Sequence, residues 1–131
     1  MKKILFSFTL FIFGVFTYAQ TSFDKQITEK STKLKNASTV QEYQTLFKEF
    51  SSLKKTKNPN QWKAYYFASL SLYKKADLLL QSKDYDSVSE TNALSYKDAT
   101  AILSLQPKNS DLLNLINLIE KQKKSIDQQK K

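Results

Sequence analysis

The sequence predicts an all-α fold, and three observations carry that prediction. Glycine occurs once and proline twice in 131 residues, so the chain lacks the residues that tight hairpin turns between strands demand. Apolar residues recur at three- and four-residue spacing over long stretches. Ser, Thr, Asn or Asp stands ahead of those stretches, where a helix N-cap belongs. Cysteine is absent, so packing alone holds the fold, and the length suits one domain.

Residues 1–19 stand apart from that domain. Met1, Lys2 and Lys3 form a short positive segment, residues 4–18 are an uncharged run of 15, and Thr17-Tyr18-Ala19 offers small residues at the positions a signal peptidase reads. This reads as a secretory leader cleaved between Ala19 and Gln20. A retained membrane anchor is the competing reading, but the run falls short of the roughly 20 residues that span a bilayer. No cysteine offers a lipid attachment point near the cleavage site. The chain is therefore expected in the periplasm or outside the cell, with no transmembrane segment after processing.

Five helices can be placed in the remainder. The first spans about 22–35, with Thr21 as N-cap, Asp24 three residues on, and Phe23, Ile27 and Leu34 at helical spacing. The second opens on Thr39 and Glu42, a capping-box pair, and sets Val40, Tyr43, Leu46, Phe47, Phe50 and Leu53 on one stripe before the lysines at 54, 55 and 57. Asn58 caps the third, with Pro59 at its first position and an end near Gln81. This helix is apolar on more than one face, which marks it as the central one. A turn over Lys83–Asp86 leads to a fourth helix, capped by Ser87 with Glu90 and stopped by Pro107. The fifth starts near Asn109 and buries Leu112, Leu113, Leu115, Ile116, Leu118 and Ile119, so the domain covers 20–120. A Lys-rich tail over 121–131 is expected to be solvated and flexible.

The two prolines sit at matching junctions, Asn58-Pro59-Asn60 and Pro107-Lys108-Asn109. The first four helices therefore form two antiparallel hairpins, with the fifth closing them. Each pair leaves an apolar face for its neighbour, which is the logic of a solenoid. The Trp-x-x-Tyr-Tyr-x-Ala pattern of Trp62, Tyr65, Tyr66 and Ala68, followed by Ala101 to Asn109 as a second helix end and proline turn, resembles a tetratricopeptide repeat. It is similar in particular to small exported proteins of that kind in Bacteroidetes. The resemblance covers about 59–120. It implies a TPR-like α-solenoid of helical hairpins used for protein contact rather than for a reaction.

Composition removes several chemistries. All 21 basic residues are lysine, and histidine and cysteine are absent. Zinc fingers, haem attachment, Cys or His catalysis and bidentate arginine clamps are thereby excluded, and the single glycine excludes a glycine-rich phosphate loop. Ser-x-x-Lys, the dyad of some acyl enzymes, occurs at Ser22/Lys25, Ser51/Lys54, Ser52/Lys55 and Ser71/Lys74. In a chain this rich in both residues chance supplies such pairs, and no supporting motif accompanies them. Asp84-Tyr85-Asp86 opens like a calcium loop, but Ser89 stands where glycine must turn and Ser95 where a bidentate Glu belongs. No catalytic, metal or cofactor site is predicted.

Two binding surfaces remain. On the third helix, Trp62, Tyr66, Tyr73 and Leu80 share a face that suits the core. Tyr65 and Ser69, with Leu72 and Ala76, share an adjacent face that would line a shallow groove for an unidentified protein or peptide, with Lys63 and Lys74 at its rim. The alternative function follows from the net charge of +9, which suits a cationic protein associating with anionic lipid or polysaccharide at the envelope. Specific nucleic-acid recognition is not expected, since lysine without arginine reads bases poorly and export removes the chain from the chromosome.

Overall fold

The computed structural model describes residues 22–130; the expected leader, its expected cleavage site between Ala19 and Gln20 and the expected Thr21 cap lie outside them. Among the described residues the fold is all-helical: α1 over 22–36, α2 Val40–Leu53, α3 Trp62–Gln81, α4 Tyr85–Ala101 and α5 Ser110–Lys130. No described helix is long and apolar enough to cross a membrane.

The caps explain most boundaries. Thr39 Oγ1 accepts from the Glu42 backbone N–H at 3.1 Å, and Glu42 Oε1 accepts from the Thr39 hydroxyl at 3.0 Å, which fixes the start of α2 as predicted. Asn109 Oδ1 likewise accepts from the Leu112 N–H at 3.1 Å at the start of α5. Two starts differ from expectation. Asn58 uses its side chain on the Asn60 N–H at 2.8 Å, a local turn through Pro59, and α3 proper begins at Trp62. Asp84, rather than Ser87, caps α4 by accepting from the Ser87 N–H. α4 ends at Ala101, and irregular turns carry the chain over 102–109 to the next helix.

Consecutive helices run antiparallel, as the polar bonds between them show. Lys75 Nζ of α3 reaches Gln44 Oε1 of α2 at 2.7 Å. The Ser69 hydroxyl of α3 donates to the Ser95 carbonyl of α4 at 2.7 Å, and the Ser95 hydroxyl returns the bond to the Ser69 carbonyl at 3.0 Å. Asn92 Nδ2 of α4 donates to the Ile119 carbonyl of α5 at 3.0 Å. In each case the partners lie at matching distances on either side of the connecting turn, as a hairpin requires.

Two apolar cores result. Phe23, Ile27 and Leu34 of α1, Tyr43, Leu46, Phe50 and Leu53 of α2, and Ala64 and Ala68 of α3 make the first. Ala99, Ile102, Leu112, Leu115, Ile116 and Ile119 make the second, with Trp62, Tyr66 and Tyr73 packed half-buried against it. α3 is thus the central helix.

The segment from Lys121 is not a loose tail. α5 continues to Lys130, and both Gln122 and Ile126 are buried. Gln122 Nε2 donates to the Tyr73 carbonyl at 3.0 Å and to Asp77 Oδ1 at 2.8 Å, while its Oε1 accepts from Asn92 at 2.8 Å. These bonds tie α3, α4 and α5 together beyond residue 120. Leu113 and Leu118, expected in the core, flank it and are exposed.

Candidate functional site

The groove expected along Tyr65 and Ser69 is closed. Ser69 is 0 % exposed and locked to Ser95, and Leu72 and Ala76 on the same face are buried with it. The small side chains at 69 and 95 let α3 and α4 approach so closely that their hydroxyls reach each other's backbones. Tyr65 is half-buried, with Lys54 Nζ 5.2 Å from its ring centre. The same ammonium pairs with Asp98 Oδ2 at 2.7 Å, so Lys54 links the end of α2 to α4.

The rim residues Lys63 and Lys74 lie instead on the opposite, open side of α3. Their helical spacing with Tyr66, Phe67 and Leu70 makes one stripe, which no helix covers completely. A groove of about 330 Å³ opens beside it, floored by Leu34, Tyr43, Phe67 and Leu70 and flanked by Lys35 and Lys74, with no acidic residue in its lining. An aromatic row crosses this face: Trp62 to Tyr66 at 6.1 Å and Tyr66 to Phe67 at 5.1 Å, both edge-on, then Phe67 stacked on Phe50 at 5.3 Å. The row anchors the open stripe to the first core.

Burial raises the pKa of the Tyr66, Tyr73 and Tyr43 hydroxyls above the ordinary value. The carboxylate of Asp111 adds to the effect at Tyr66, that of Asp77 at Tyr73, and those of Glu42 and Asp77 at Tyr43. These phenols stay neutral hydrogen-bonding groups. Tyr43 uses its own to donate to the Ala37 carbonyl at 2.8 Å.

The sequence reading missed Phe67 and Leu70 as half-buried lining of a groove because both are apolar, although Leu70 lies between Lys63 and Lys74 on the helix. It also missed the buried polar set of Asn92, Ser95 and Gln122. A signal was available for the first two, since Val88, Asn92, Ser95 and Ala99 share one face of α4 at helical spacing.

Two of the serines of the Ser-x-x-Lys pairs spend their hydroxyl protons within their own helices, while the hydroxyl of Ser51 has no hydrogen-bond partner among the described residues. Ser71 donates to the Phe67 carbonyl, Ser52 to the Glu49 carbonyl, the Ser22 hydroxyl accepts from Gln26, and the Ser51 hydroxyl is buried. Among the described residues no group of three or more acidic side chains is placed to hold a metal ion, and Asp84 serves as a helix cap. Comparison of the chain with protein-family models, with curated proteins and with solved structures finds no match.

Proposed function

We propose that this chain is an exported, non-enzymatic, TPR-like helical-hairpin module that holds another protein against the open face of α3. The observation that carries this reading is the stripe of Lys63, Tyr66, Phe67, Leu70 and Lys74 beside the groove on α1. Half-buried aromatics offer contact area at little entropic cost. Two lysines over an apolar floor suit a segment that brings an apolar anchor with carboxylates next to it. The packing order supports a two-layer stack, since α3 meets both α1 and α5 while Lys54 and Asp98 link α2 to α4. Residues 1–19 support export.

The test is capture from envelope extract by residues 20–131 and by the variants Leu70→Asp and Lys74→Glu. Wild type is expected to retain a defined protein that both variants lose at least about tenfold, as loss of an interface anchor implies. Equal capture by all three counts against the groove. If no protein is captured and the chain instead adsorbs to anionic vesicles in a salt-sensitive way, charge-driven surface association replaces this reading.

A further inference from the structure

Two connections that are far apart in the sequence meet at one end of the molecule. Residues 54–61 join α2 to α3, and residues 102–109 join α4 to α5. The Lys54–Asp98 pair at 2.7 Å sets the ends of α2 and α4 side by side, and Trp62, Ile102 and Leu103 belong to the same apolar cluster. The antiparallel run of the helices thus lays the two proline turns against each other.

Both turns are basic. No Asp or Glu falls between Glu49 and Asp77 or between Asp98 and Asp111, while Lys54, Lys55, Lys57, Lys63 and Lys108 fall within those stretches. At their borders, Glu49 is spent on Lys30 and Asp98 on Lys54. The other acids nearby are Asp24, whose Oδ1 accepts from the Asn60 side-chain amide at 3.4 Å, and Asp111 in the first turn of α5. Lys55, Lys57, Lys63 and Lys108 belong to no ion pair among the described residues, and Lys55, Lys57 and Lys108 are exposed. The fold therefore gathers at one end a positive charge that it does not neutralise.

Apolar groups share this end. Leu105 is 70 % exposed, more than any other large apolar side chain of the described residues. Trp62, the single tryptophan of the chain, is half-buried at the start of α3, with Lys63 Nζ 6.0 Å from its ring centre. An exposed leucine among lysines gains nothing from water or from a polysaccharide. An anionic lipid surface suits both kinds of group, since it offers a hydrocarbon boundary to leucine and indole and phosphates to the ammonium groups. We propose that the two proline turns are the surface by which this chain rests on an anionic membrane. Leu105 meets the hydrocarbon boundary, and Lys55, Lys57, Lys63 and Lys108 meet lipid phosphates. The contact is peripheral, since no described helix is long and apolar enough to cross a membrane. Lys74 stands eleven residues beyond Lys63 on α3, about 16 Å away, so the groove beside α1 stays free for a protein partner.

The test mixes residues 20–131, which include every described helix, with vesicles of phosphatidylcholine alone or with added phosphatidylglycerol. Binding is read by co-sedimentation and by the emission of Trp62. It is expected only on the anionic vesicles, with a blue-shifted Trp62, and should collapse between about 50 and about 500 mM salt. A lysine near such a surface is worth about fivefold in binding, so Lys55→Gln, Lys57→Gln and Lys108→Gln together should weaken it about a hundredfold. The matched triple Lys121→Gln, Lys123→Gln and Lys124→Gln, in the second half of α5, should cost less than about tenfold. Leu105→Ser should weaken binding with helical circular dichroism unchanged, because the side chain is exposed. No binding to anionic vesicles overturns the proposal, and so do equal losses from the two triples or an unshifted Trp62. Tighter binding to a soluble anionic polysaccharide than to vesicles, indifferent to Leu105→Ser, overturns it in favour of that polymer.

Discussion

Lys83 holds a left-handed backbone, φ 62°, where α3 turns into α4. The Asp84 N–H bonds the Leu79 carbonyl and the Lys83 N–H bonds that of Leu80, each at 3.1 Å, so this is a Schellman ending with lysine in the position glycine favours. A side chain costs about 1 kcal/mol in that conformation. Lys83→Gly is therefore expected to stabilise the fold by about 1 kcal/mol, read from the urea midpoint; a loss of stability would contradict the turn geometry. The tyrosines give a second prediction at this scale. Tyr43, Tyr66 and Tyr73 titrate above the ordinary 10.0 when folded, so the unfolded chain releases these protons first. The stability they support is complete below about pH 10 and is lost as pH rises through their folded values. The melting temperature should hold steady up to that point and then fall, less steeply in Tyr66→Phe and Tyr73→Phe. A rise above pH 10 would refute the assignment.

The end of α5 tests the account at the scale of the element. Removing residues 121–131 deletes the buried Gln122 and Ile126 and leaves the Asn92 amide, 4 % exposed, without one of its partners. Thermal stability should drop markedly, by at least the 2–5 kcal/mol that losing one buried Ile side chain costs. An unchanged melting curve would mean that the segment is the free tail its lysines suggested. Caps and periodicity made the helices legible, and Thr39 with Glu42 behaves as written in the sequence. What misled was composition. Lysines at 121, 123, 124 and 130 read as a solvated tail, yet they flank a stripe formed by Leu115, Ile119, Gln122 and Ile126 that continues the buried face. Tyr65 and Ser69 were misplaced for a related reason. Periodicity separates the faces of a helix but does not say which neighbour covers each one. Small residues at Ala64, Ala68, Ser69, Ser71 and Ala76 were the sign that other helices approach there.

For the whole molecule, the central claim is that α3 turns one side to the bundle and keeps the other for a protein partner. The buried side, from Ala64 through Ser69 to Ala76, is set by α2 and α4, and the open side is what the α1 and α5 neighbours leave exposed. The groove resisted reading from the sequence because Leu70 and Phe67, which pack against the core, are seen to line it only once the positions of those neighbours are known. The most direct measurement places a photo-crosslinking amino acid at position 74 in intact cells, with position 97 on the exposed flank of α4 as the control. The account predicts a defined protein adduct from position 74 and none from position 97. No adduct at 74, or the same adduct from both positions, would contradict it.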